Sequence, residues 1–175
     1  PRFTGGLVGY FGYDTVRYVE PRLAKSVPKD ELGTPDILLM ASDEVAIFDN
    51  LSGTLMLVVH VDAKQSGGLD QANARLDELQ HKLTMPTPEL PEAKSNADLS
   101  EASFTSSFGQ EAFLKSVGKI KDYIMAGDAM QVVPSQRLSA PFTASPLNLY
   151  RSLRRLNPSP YMFFLNLDDF HIVGS

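Results

Sequence analysis

Asn157-Pro158-Ser159-Pro160-Tyr161-Met162-Phe163-Phe164 joins two segments of opposite kind. Before it, Ser145-Pro146 supplies an N-cap followed by proline at the first helical position. Leu149, Leu153 and Leu156, with Tyr150, then give that helix an apolar side. After it, Tyr161 to Leu167 reads as a strand, and Asp168-Asp169 as a tight turn into a second strand, Phe170 to Val173. Two prolines one residue apart forbid a helix at the junction and push Asn157 and Ser159 towards extended or turn geometry. A backbone stiffened in this way presents its peptide groups to a ligand with little ordering entropy left to lose. The plainer reading of the same residues is a rigid connector.

Working back from the junction, Ser106 or Ser107 caps a helix that runs to Ala126, with Phe113, Val117, Ile120 and Ile124 on its apolar face and Gly127 as its stop. Met130 to Leu138 reads as a strand, in which Pro134 requires an edge, a bulge or an unpaired amide. Upstream, Pro86, Pro88 and Pro91, followed by Lys94-Ser95-Asn96-Ala97-Asp98, lack apolar periodicity and make the best linker in the chain. The expected organisation is therefore 1–90, a linker at 91–105, and 106–175. In the first part, apolar positions 69, 72, 76, 79 and 83 mark a helix, with Asp70, Arg75, Glu78 and Lys82 on its other face. Glu44 to Phe48 and Thr54 to Val61, on either side of a Gly53 turn, read as an antiparallel hairpin buried on both faces for part of its length. Ile37 to Met40 precedes it as a further apolar run, and Gly5, Gly6, Gly9 and Gly12 among aromatics suggest another strand. Thr15 to Val19 reads as a short helix or turn that Pro21 ends.

Composition narrows the function classes. Hydrophobic residues make up 43% and charged residues 21% of the 175, which predicts a packed core. A net charge of −5 without a Lys/Arg stripe argues against a nucleic-acid partner. The absence of cysteine removes disulfides, thiolate metal sites and cysteine nucleophiles together, and suits a reducing, cytoplasmic setting. No apolar run reaches about 18 residues, so no membrane partner is expected. Both ends look cut, which suggests a piece of a longer polypeptide.

Several candidate sites have plainer explanations. The spacing of Gly5, Gly6, Gly9 and Gly12 lacks the Gly-Lys-Ser/Thr ending of a phosphate loop. His60, in the second hairpin strand, has no nearby His, Cys or carboxylate at ligand spacing and reads as a packed or edge residue. Arg151, Arg154 and Arg155 read as a solvated helix face near the C-terminal dipole, and the alternative is an anion site. Asp168, Asp169 and His171 read as a polar hairpin tip rather than a metal site. No paired carboxylates, His-Glu helix motif or Gly-x-Ser-x-Gly elbow is present.

Three segments carry a family resemblance. Asn157 to Phe164, Phe3 to Arg17 (Phe-Thr-Gly-Gly-Leu-Val-Gly-Tyr-Phe-Gly-Tyr-Asp-Thr-Val-Arg), and Ile124 to Arg137 (Ile-Met-Ala-Gly-Asp-Ala-Met-Gln-Val-Val-Pro-Ser-Gln-Arg) resemble the anthranilate synthase component I family in the family's order. Val173-Gly174-Ser175 matches the point where family members continue with Ser-Pro-Glu. The resemblance implies an α+β fold of two packed, mainly antiparallel β-sheets with surrounding helices, incomplete in this chain. Residues 1–90 would be the rest of the N-terminal domain and 106–175 the beginning of the chorismate-binding domain.

The family converts chorismate and ammonia to anthranilate and pyruvate in tryptophan biosynthesis, with Mg2+ and with ammonia from a glutamine amidotransferase partner, component II. Tryptophan inhibits by feedback. Pro160, Tyr161 and Met162 match the effector-binding segment, with Asn157 and Ser159 in the same loop. The resemblance implies no catalytic or metal-binding residue here, because the metal-binding glutamates and catalytic histidine lie in later motifs. The upstream effector-pocket serine, in a Leu-Leu-Glu-Ser motif, is also missing. The isolated chain is accordingly expected to be inert. Aminodeoxychorismate synthase component I, of the folate pathway, and a non-catalytic amino-acid-binding module are the alternatives.

Overall fold

Gly9 sets how closely the first two strands approach. A Cβ there would lie 1.9 Å from the Leu38 carbonyl oxygen, so only glycine lets the backbones meet. In the computed structural model, which describes residues 1–88 and 99–175, β1 (Gly6–Phe11) pairs antiparallel with β2 (Ile37–Ser42), from Gly6 opposite Ser42 to Phe11 opposite Ile37. One residue, Asp43, separates β2 from β3 (Glu44–Asp49), which forms a hairpin with β4 (Thr54–Val59). Asp49 closes the hairpin turn by accepting hydrogen bonds from the amides of Leu51 (3.0 Å) and Ser52 (3.2 Å). Residues 37–49 thus form an almost continuous strand, paired by β1 along one half and by β4 along the other.

The end of β4 meets the start of β1 at the break. His60 N–H donates to the Asp43 carbonyl at 2.9 Å, and its Nε2 lies 2.8 Å from the Thr4 carbonyl oxygen. The strand expected to continue to Val61 therefore stops at Val59, and His60 lies outside it. Between β1 and β2, a 3-10 turn at Tyr13–Thr15 leads into α1 (Val16–Val19). Pro21 ends α1 as expected and also opens a 3-10 helix, Pro21–Ser26, where its missing amide is no loss.

The periodic segment after Gly67 forms α2 (Gly68–Thr84), which packs on β4. Its packed strip is Gly68, Ala72, Leu76 and Leu79, while Leu69 and Leu83, expected on the apolar face, are exposed. Its packing is mainly on β4, which covers a strip narrower than the full apolar face. Arg75, expected on the polar face, points instead to β3 and holds both carboxylate oxygens of Glu44, at 2.6 and 2.9 Å.

Contact density divides the chain into two compact units, Pro1–Glu89 and Leu90–Ser175. Residues 91–98 of the expected linker lie outside the described residues, and Glu101–Ser103 forms a 3-10 turn. In the second unit α3 spans Gln110–Ala126 and ends at Gly127, whose φ of 82° is the left-handed geometry of a helix stop. Its N-cap is Gly109, not Ser106 or Ser107. Ser106 belongs to β5 (Thr105–Ser106), and its Oγ accepts from the amides of Phe108 and Gly109 just before the helix. The strand expected over 130–138 shrinks to β6 (Leu138–Ser139), paired with β5. A strand requires a ladder, and among the described residues the ladder with β5 takes in only Leu138 and Ser139; just before it the Arg137 carbonyl accepts from Ser107 N–H at 2.9 Å, while Met130 is 98% exposed.

The rest of the second unit is α4 (Pro146–Leu156), β7 (Phe163–Asn166) and β8 (His171–Gly174), with α4 packed on β8. Among the described residues, antiparallel pairing throughout, with helices beside the strands, gives the expected α+β class, and the sheets are represented by four two-stranded ladders. Among the described residues the buried apolar side chains are Ala72 in the first unit and Leu167 in the second, whereas Leu7, Phe11, Phe48 and many others are exposed. Neither unit encloses a core of the size its composition suggests.

Candidate functional site

Local chemistry positions the 157–162 loop from both ends. At its start, Asn157 N–H donates to the Leu153 carbonyl (2.8 Å), closing the last turn of α4. Asn157 is itself out of the helix, at φ −139°, as the following proline demands. Ser159 is half-buried and its Oγ accepts from Tyr161 N–H at 3.2 Å, a side-chain turn that replaces the amides the two prolines lack. Met162 is half-buried, whereas Pro160 is exposed and Tyr161 is 83% exposed. The strand expected from Tyr161 begins only at Phe163, so Tyr161 and Met162 belong to the loop.

The loop's far end is anchored by the β7–β8 ladder, where Phe163 lies opposite Gly174 and Asn166 opposite His171. Leu167 is buried and donates its amide to the Phe170 carbonyl at 3.0 Å, while Asp168 takes a left-handed φ of 70° at the tip. That confirms the Asp168-Asp169 turn, since aspartate tolerates this geometry better than most residues. The rings of Tyr150 and Phe164 lie 6.0 Å apart and those of Phe164 and His171 5.5 Å apart, tying α4 to the ladder. The half-buried side of α4 is accordingly Leu147, Tyr150 and Leu153; Leu149 and Leu156, expected to be apolar contacts, are exposed. A further contact escaped the sequence reading: Ser175 Oγ donates to the Asn157 carbonyl at 2.9 Å. It joins residues 18 apart, and no local pattern announces it.

The loop therefore brings Asn157, Ser159, Pro160, Tyr161 and Met162 together on one rigid segment that offers peptide groups, a thioether and a phenol. It holds no acid/base pair and suits recognition rather than bond-making. Among the described residues no three His, Asp or Glu side chains converge on a point that could hold a metal, and His171 stacks on Phe164 instead. His60 pins Thr4, and Arg151, Arg154 and Arg155 line the exposed side of α4. The strongest electrostatics lie in the first unit. Hydrogen bonds from Arg75 hold the carboxyls of Glu44 and Glu78 below the usual glutamate range, with Lys82 adding to the effect at Glu78. This network fastens α2 to β3. The spacing of Arg75, Glu78 and Lys82 is readable on a helix, but Glu44 as their partner is not.

The chain belongs to the chorismate binding enzyme family, whose profile matches residues 1–175 and so runs through both units. Within that family it is similar to anthranilate synthase component 1 of Pseudomonas aeruginosa, 54% identical over 176 residues that cover all of this chain and 36% of that protein. The corresponding protein of Neisseria meningitidis serogroup B is 53% identical over 180 residues, with all of this chain and 35% of that protein covered. The crystal structure of anthranilate synthase component I from Streptococcus pneumoniae superposes with a TM-score of 0.70 at 30% identity, over 98% of this chain and 38% of that one. The chain thus spans little more than a third of the length of the relatives it matches. Among the described residues, no helix is long and apolar enough to cross a membrane.

Proposed function

We propose that the chain is a portion of anthranilate synthase component I, which converts chorismate and ammonia to anthranilate and pyruvate at the first step of tryptophan biosynthesis in the cytoplasm. The observation that carries this reading is the match of the whole chain to relatives of that name at up to 54% identity. Residues 106–175 begin the chorismate-binding domain and 1–90 complete an N-terminal domain. A glutamine amidotransferase, component II, supplies the ammonia.

The 157–162 loop is half of a tryptophan feedback pocket. Pro160 has no amide proton and Tyr161 N–H is given to Ser159, so an amino acid's ammonium would meet the Pro160 and Tyr161 carbonyls and its carboxylate the Met162 amide. The Met162 thioether suits contact with an indole. Mg2+ assists the reaction of the complete enzyme. In this reading its ligands come from the family's later motifs, outside these 175 residues. The isolated chain is inert, a reading supported by its few buried apolar side chains and by the missing later motifs.

The test is direct. The full-length polypeptide, given chorismate, an ammonium salt and Mg2+, should produce fluorescent anthranilate and be inhibited by L-tryptophan, and the 175-residue chain should produce none. Accumulation of aminodeoxychorismate instead would overturn the reading, and anthranilate formation by the short chain would overturn its inertness.

A further inference from the structure

The Asn157 carbonyl sits at the C-terminal end of α4, followed by Pro158, Ser159 and Pro160. Carbonyls at a helix end need donors from outside the helix, and a segment with two prolines is poor in amides to supply them. The hydroxyl of Ser175, just past β8, meets the need by donating to Asn157 O at 2.9 Å, and the Asn157 Nδ2 lies 3.5 Å from the same Oγ. Asn157 is thus held on both sides of its Cα, by Leu153 O through its amide and by Ser175 through its carbonyl, which lies in the peptide plane that leads into Pro158. Every peptide group from 158 to 162 hangs from that plane. We propose that Ser175 is a positioning residue for ligand recognition by the 157–162 loop, fixing its entry plane and tying its geometry to the end of β8.

The proposal rests on the reading of this loop as tryptophan-facing. Its logic is a population argument: if tryptophan binds the loop geometry that Ser175 holds, removing the hydroxyl lowers the fraction of competent loops and weakens binding by that fraction. The loss of one such hydrogen bond corresponds to roughly a 2- to 10-fold effect. Ser175 itself touches no substrate or effector in this account.

The experiment uses the full-length polypeptide with L-tryptophan as probe, reading the inhibition constant for anthranilate formation, the chorismate KM and kcat. Ser175→Ala is expected to raise the inhibition constant by roughly 2- to 10-fold while KM and kcat hold, and Ser175→Thr, which keeps the hydroxyl, to restore it. An unchanged inhibition constant in Ser175→Ala, or a parallel loss in all three quantities that Thr does not rescue, overturns the proposal. If the unsubstituted polypeptide neither binds nor responds to tryptophan, the effector reading of the loop fails and the proposal falls with it, a result distinct from inhibition that ignores Ser175.

Discussion

Phe163 and Gly174 face each other across the β7–β8 ladder, and the Phe163 ring occupies the space where a side chain at 174 would begin. A Cβ there would lie 2.2 Å from Cζ of that ring. Because Phe163 is the first strand residue after the loop, the absent side chain at 174 and the loop's exit share one contact.

Two glycine substitutions should therefore differ sharply. Gly174→Ala meets the far end of a side chain that can swing away, and should cost about 1–2 kcal/mol. Gly9→Ala meets the Leu38 carbonyl, which cannot move without opening the β1–β2 ladder, and should cost more than about 3 kcal/mol. Urea midpoints of the two variants in the full-length polypeptide check the order, and equal midpoints would refute the argument.

Acid should loosen α2 from β3. Glu44 and Glu78 are held below the usual glutamate range in the folded state by Arg75. Their contribution is fully present above that range, and is lost as pH falls through it towards the lowered folded values, because the unfolded chain takes up protons first. Unfolding midpoints between about pH 5 and pH 3 should fall more steeply in the parent than in Arg75→Met. The difference should shrink in high salt, since these groups are substantially exposed. Parallel slopes would show that the network contributes nothing.

The two serines expected to cap helices, Ser145 and Ser106, should differ in what their removal costs. Ser145 precedes Pro146 in the standard N-cap position, yet its side chain makes no capping bond, so Ser145→Ala should cost well under about 0.5 kcal/mol. Ser106 Oγ accepts from two amides and bonds the Gln136 side chain at 2.9 Å, so Ser106→Ala should cost about 1–2 kcal/mol. Denaturation of both variants measures the gap directly.

On the loop, Met162→Thr and Pro160→Ser should weaken tryptophan inhibition more than they lower turnover. The first shortens an apolar contact and the second restores backbone freedom that the proline removes. Steady-state inhibition constants of the full-length variants decide the matter, and values equal to the parent's would remove the loop from the effector site.

Much of this was readable residue by residue. The helices α2, α3 and α4 run close to where their periodicity and stop signals put them, and Gly127 ends α3 as its position suggests. The β3–β4 hairpin and the Asp168 turn were equally legible, because each depends on neighbours in sequence. The segment 130–137 was not. Its β-branched residues satisfy the propensity for a strand, but a ladder is made by pairing, and among the described residues the β5 ladder takes in Leu138 and Ser139 and no residue before Arg137. The apolar side of α4 was legible only in part for a related reason: Tyr150 and Leu153 are half-buried but Leu149 and Leu156 are not, because coverage is set by the element the helix packs on, β8, as well as by the helix period.

The loop itself shows the same division. Prolines at 158 and 160 determine by covalent geometry that the chain leaves the helix and stiffens there, whatever surrounds it. The tertiary structure decided what that stiff segment is fastened to: Leu153 by a helical bond, Phe163 against Gly174, and the Asn157 carbonyl to Ser175, 18 residues on. Local dihedral preference travels with the residue and is visible in any context. A hydrogen bond between distant residues exists only once the strand pairing between them has set their separation.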